Sequence, residues 1–145
     1  MKRYIGTKII HAVDEKHSES GREGYRVRYA DGYESWSPKE AFENAYRECD
    51  AMTFGLALEC LKKGMKVARD GWNGKSMWLV LVTGTPSAHL KPGTPYANAL
   101  PGATHCEILP HIDMWTVNAY GRRAMLPGWL ASQTDMLAED WKVVI

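Results

Sequence analysis

Reactive side chains are few and scattered in this sequence. His105, Cys106 and His111 lie close together with Glu107 between them. The spacing matches neither a CxxC pair nor an HExxH helix, so no zinc site is expected. Cys106 would need a positioned base to act as a nucleophile, and its neighbour His105 points the other way if both lie on a strand. Asp135 and Asp140 are the carboxylates a hydrolase would use, near Asp70 or Asp113. Such an enzyme needs a fixed separation and split pKa values, which sequence does not establish. Asp135 stands in Ser-Gln-Thr-Asp and reads as a helix cap or as an acceptor for a ligand's hydroxyl or amine. No P-loop and no GxGxxG occurs. An anion would rely on backbone amides near Ser132 to Thr134, or on Arg69, Lys75, Arg122 and Arg123. Each of those charges is more often a solvated surface residue.

A second kind of chemistry fits better. Trp72 and Asn73 stand at a turn between Gly71 and Gly74. Turns favour small polar residues, so an indole there either packs back on the fold or faces a ligand. With Phe54 and Trp129 it offers stacking faces, while Asn73, Ser132, Gln133 and Asp135 offer donors and acceptors. Such a set suits a flat, polar small molecule: stacking a base contributes ~1–3 kcal/mol and directed hydrogen bonds select the ligand. With no catalytic group standing out, binding without turnover is the simpler reading.

The elements that carry these residues can be read from periodicity and turn chemistry. Residues 4–13 read as a strand, 14–24 as an exposed loop, and 25–29 as a period-two strand with Arg26 and Arg28 outward. Ala30-Asp31-Gly32 turns into a return strand at 33–36. Ser37 as N-cap, Pro38 at the first helical position and Glu40 then start a helix that runs to about Arg47. After a linker near 47–51, Thr53 caps a second helix, 54–63, with Phe54, Ala57, Leu58 and Leu61 on one face and Gly64 as its stop. Residues 65–69 and 76–82 form the hairpin that presents Trp72. Strand 76–82 is apolar on both faces, Met77, Leu79 and Leu81 against Trp78, Val80 and Val82. One helix cannot cover both, so either residues 1–50 or another subunit covers the second face, and a homo-oligomer is the favoured reading. Residues 83–110, rich in Pro and Gly, read as one long loop with a short strand near 106–109. Strands at 112–118 and 123–126, a helical turn capped by Ser132 or Thr134, and an edge strand at 140–145 complete the chain.

The 145 residues allow one ordinary domain or two small ones. Residues 1–50 hold nine Lys/Arg and ten Asp/Glu, for −1; residues 51–145 hold nine and seven, for +2. The net charge of +1 argues against a nucleic-acid polymer as partner. No membrane span or secretory leader is read, and three widely spaced cysteines suit reduced thiols in the cytoplasm. The expected fold class is α+β: a small antiparallel sheet with one packed helix (residues 51–145), preceded by a small β-rich module with one helix (residues 1–50).

Residues 52–145 also resemble a phage family, the Thoeris anti-defence protein two family. The resemblance rests on Met52-Thr53-Phe54-Gly55-Leu56-Ala57-Leu58, Gly64-Met65-Lys66-Val67-Ala68-Arg69, Gly71-Trp72-Asn73-Gly74-Lys75, His111-Ile112-Asp113-Met114 and the run from Trp129 to Trp141. It implies a sponge for cyclic ADP-ribose-type signals made by TIR-domain enzymes, bound and not cleaved. It also implies homotetramers with pockets between subunits and, in some members, a separate site for cyclic oligonucleotides. No cofactor is implied. Carried over by residue, the pocket set is Phe54, Trp72, Asn73, Ser132, Gln133 and Asp135, with Asn118 added ahead of a turn that varies. Residues 1–50 and the loop 83–110 depart from a minimal member. Two other classes stand beside the sponge: an adaptor that binds a protein or peptide through residues 1–50 and the aromatic surface, and a hydrolase of the signal built on Asp135 and Asp140.

Overall fold

The computed structural model describes residues 1–72 and 76–145. The chain is α+β and forms two compact units, Met1–Cys49 and Asp50–Ile145. Asn73, Gly74 and Lys75 lie outside the described residues.

The first unit is an antiparallel sheet in the order β1-β2-β3, made of β1 His11–Lys16, β2 Glu23–Arg28 and β3 Glu34–Pro38, followed by helix α1 Lys39–Ala45. Val27 on the central strand is its one buried hydrophobic side chain. The unit also holds an aromatic stack, with Tyr25 on Phe42 at 4.1 Å and Phe42 on Tyr46 at 4.8 Å between centroids. The expected strand at 4–13 is shifted. Residues 1–10 carry no strand, and the polar stretch Asp14–Lys16, read as loop, lies in β1. The reason is that all six β1 residues are exposed. An edge strand without a buried face needs only backbone pairing, His11 to Arg28 through Lys16 to Glu23, and leaves no apolar alternation to read. Ser37 does not cap α1. It sits in β3 opposite Tyr25, and Pro38 takes the N-cap position without a side-chain cap bond.

In the second unit, Thr53 caps helix α2 Phe54–Lys62 by accepting from the Leu56 N–H, and Gly64 at φ +83° ends it. The helix buries Ala57, Cys60 and Leu61 on a five-stranded antiparallel sheet in the order β10-β4-β5-β8-β9. Its strands are β4 Lys66–Arg69, β5 Trp78–Val82, β8 His111–Val117, β9 Arg123–Leu126 and β10 Trp141–Val144. Val67, Leu79 and Trp141 meet the helix with no exposed surface. Each such side chain contributes about 1.5–3 kcal/mol by leaving water. Strand alternation turns Trp78, Val80 and Val82 to the other face. There Trp78 stacks on its cross-strand partner Trp115 at 5.7 Å, with Lys66 Nζ 5.4 Å from the Trp78 ring.

Residues 83–110 are not one loop. They form a hairpin arm of β6 Thr85–His89, a short helix α3 Pro95–Ala99 and β7 His105–Ile108. Gly84 makes the entry possible: it sits at φ +80°, and a Cβ there would run into the backbone carbonyl of Ile108. Pro86 is tolerated because β6 is one of only two strands in its sheet and has a free edge. Ser132, not Thr134, caps the short helix α4 Gln133–Met136 that precedes β10.

Candidate functional site

Arg69, the last residue of β4, lies opposite Trp141 at the start of β10. Its guanidinium is largely buried and spends its donors on two carboxylates. Nη1 donates to Asp135 Oδ1 at 2.8 Å, Nε to Asp140 Oδ1 at 2.8 Å, and Nη2 to Asp140 Oδ2 at 3.5 Å. Asp140 Oδ2 also accepts the Gly71 N–H at 2.7 Å, which fixes the first residue of the turn leading to Trp72. A Cβ at Gly71 would lie 2.9 Å from that oxygen, so a side chain there would push against the carboxylate that Arg69 holds.

Asp135 is the hub. Oδ1 accepts from Arg69 and from the Trp72 indole N–H at 3.2 Å. Oδ2 accepts from the Ser132 N–H at 3.1 Å and its hydroxyl at 2.7 Å, while the Asp135 N–H returns to Ser132 Oγ at 3.1 Å, closing a capping box. The Trp141 indole donates to the Asp135 carbonyl at 2.9 Å. Four donors fill the capacity of a carboxylate. Burial pushes the Asp135 carboxyl up, but Arg69, Ser132 and Trp72 outweigh it and hold the group at about 2. Asp140 is held below the usual range by Arg69 and the Gly71 N–H. The Arg69 pKa is raised, by Asp140 first and then Asp135 against burial.

Around this clamp the aromatic rings converge. Trp72 meets Trp141 at 5.4 Å and Trp129 at 6.1 Å, both edge to face; Phe54 meets Trp141 at 5.3 Å and Trp129 at 6.3 Å. Trp72, Trp129 and Phe54 are only half-buried, whereas Trp141 beneath them is fully buried. The result is a partly open aromatic surface tied to Asp135 by two indole N–H groups, Trp72 to its ionised carboxylate and Trp141 to its carbonyl.

Of the residues singled out from sequence, Phe54, Trp72, Trp129, Ser132 and Asp135 are brought together here. Gln133 is exposed at the first position of α4, one residue from the capping Ser132. Asn118 is at the β8–β9 turn, where its Oδ1 accepts the Tyr120 and Arg122 N–H groups at 2.9 and 3.0 Å. Asn73 lies outside the described residues. Asp135 and Asp140 share Arg69; Asp70 instead pairs with Lys142, and Asp113 accepts the Gly128 N–H at 3.0 Å. Arg69 is therefore neither solvated nor free for an anion. Sequence reasoning missed Arg69 as a clamp and Trp141 as a core residue. The available signal was a charged residue ending an apolar strand beside a glycine turn, with an Asp-Trp pair entering another. No three His, Cys, Asp or Glu side chains among the described residues come together as a metal site.

The second unit is a helix-backed antiparallel sheet that carries a partly exposed aromatic cluster. Residues 52–144 match the model of the Tad2-like, or Thoeris anti-defense 2-like, domain family, and the chain belongs to that family. It is 38% identical over 93 residues to Thoeris anti-defense 2 of Bacillus phage SP01, an alignment that covers 64% of this chain and 94% of that protein.

Proposed function

We propose that this is a phage anti-defence protein that binds cyclic ADP-ribose-type immune signals in the cytoplasm of the infected bacterium and sequesters them uncleaved. Family membership supports the anti-defence role. The state of Asp135 and Asp140 carries the choice of holding over hydrolysis. An acid–base pair needs one carboxyl raised toward neutrality and one ionised. Here both carboxyls are lowered by the same guanidinium, and Asp135 has no free acceptor site. In this reading Phe54, Trp72 and Trp129 stack on the ligand, and Asn73, Gln133 and Asn118 hydrogen-bond it. Ser132 and Asp135 position Trp72. Residues 51–145 form the binding domain and residues 1–50 an accessory module. The apolar sheet face of Trp78, Val80, Val82 and Trp115 supports docking of further copies into a homotetramer. Cyclic oligonucleotides are a second ligand class at a separate site, and no nucleic-acid polymer is bound.

Isothermal titration of the full chain with cyclic ADP-ribose isomers tests the binding step. Saturable uptake of one isomer is expected, with an affinity tighter than about 1 µM for an effective sponge. No uptake of any isomer, together with a stably co-purifying protein, would leave the adaptor reading in its place.

A further inference from the structure

The hairpin arm carries a pair of histidines that the signal-binding role does not use. His89 ends β6, His105 begins β7, and the two are directly opposite in the ladder. One step further along, the Leu90 N–H donates to the Thr104 carbonyl at 2.8 Å. Hydrogen-bonded and non-hydrogen-bonded pairs alternate in an antiparallel ladder, so His89 and His105 occupy a non-hydrogen-bonded position, where side chains come closest. Their rings lie 5.2 Å apart between centroids at an interplanar angle of 76°. Two imidazoles on one tetrahedral zinc, with Zn–N of about 2.0–2.1 Å, place their centroids about 5 Å apart. The observed spacing is compatible with both rings reaching one ion.

A second contact orients one of the rings. Thr104 Oγ1 is 3.0 Å from Nδ1 of His105. The hydroxyl accepts from Nδ1–H in the tautomer that leaves the Nε2 lone pair for a metal, the usual arrangement behind a ligating histidine. Both residues are exposed, so water can complete the coordination. Cys106, next in β7, alternates to the opposite face of the ribbon and takes no part.

We propose that His89 and His105 form a two-histidine chelate for a divalent metal ion of the zinc type. The bound ion cross-links β6 to β7 and closes the segment 90–104 that contains α3. Such a clip removes conformational freedom from a long connection, so the arm becomes more rigid when metal is bound.

Titration of the tag-free full chain with ZnCl2, followed by calorimetry and by hydrogen exchange of residues 85–108, tests this. One Zn2+ per chain is expected, with slowed exchange confined to the arm. His89→Asn and His105→Asn should each weaken binding at least about 10-fold, and Cys106→Ser and His111→Asn should leave it unchanged. The chelate is ruled out if the wild type takes up no Zn2+ at about 1 mM. Binding that survives either histidine substitution, or is lost in Cys106→Ser, overturns it equally. The outcome is independent of whether a cyclic signal is bound.

Discussion

Replacing Arg69 by Met is expected to destabilise the second unit by about 3–5 kcal/mol, the cost of removing one partner from a largely buried ion pair. The side chain is 13% exposed and serves Asp135, equally shielded, and Asp140. Met fills a similar volume but leaves both carboxylates without their cation. Urea denaturation of the full chain at pH 7 measures the loss. The pH dependence provides an internal control. The Asp135 carboxyl sits at about 2 in the folded protein against an ordinary 3.8. The stability this gives, roughly 2 kcal/mol, is complete above pH 4 and is lost as the pH falls through 2. The gap between wild type and Arg69→Met should therefore narrow between pH 4 and pH 2. A loss below about 1 kcal/mol at pH 7 would mean that the carboxylates find other donors or water.

Trp72→Ala is expected to weaken signal binding by about 10- to 100-fold, from the ~1–3 kcal/mol that a base gains by stacking on an aromatic ring. Trp72 is half-buried and packs on Trp129 and Trp141 from the outside, so most of the core remains when it is removed. Trp72→Phe separates its two roles. It keeps a stacking face and loses the N–H that bonds Asp135 at 3.2 Å. Its affinity should fall between those of wild type and Trp72→Ala. Calorimetric titration with the bound cyclic ADP-ribose isomer, with circular dichroism as the folding control, distinguishes the cases. An Ala variant that unfolds would make Trp72 a packing residue and nothing more.

How far such a site can be read in advance depends on whether its contacts are local. Helix α2 was legible because Thr53, the apolar face through Leu61 and Gly64 all lie within one short segment. The antiparallel pairing of β4 with β5 was legible from their apolar residues. The Arg69 clamp was not, because its partners are 66 and 71 residues away in sequence. Only the sheet order β10-β4-β5 brings them together. Trp141 has an edge-strand sequence, yet it is fully buried, since α2 and the Trp72 turn cover the end of β10. In β1 the pattern failed for the opposite reason: a strand with no buried face leaves no alternation. The arm at residues 85–108 is stabilised by pairing across a Pro- and Gly-rich sequence, where local propensity indicates loop.

Sequestration requires that the signal be held intact. The most direct measurement incubates the purified full chain with a cyclic ADP-ribose isomer, removes unbound ligand, denatures the protein by heat and weighs what is released by mass spectrometry. Sequestration predicts the input isomer at unchanged mass, in the amount that was bound. Release of linear ADP-ribose or any other altered mass would contradict it and make Asp135 and Asp140 part of an enzyme.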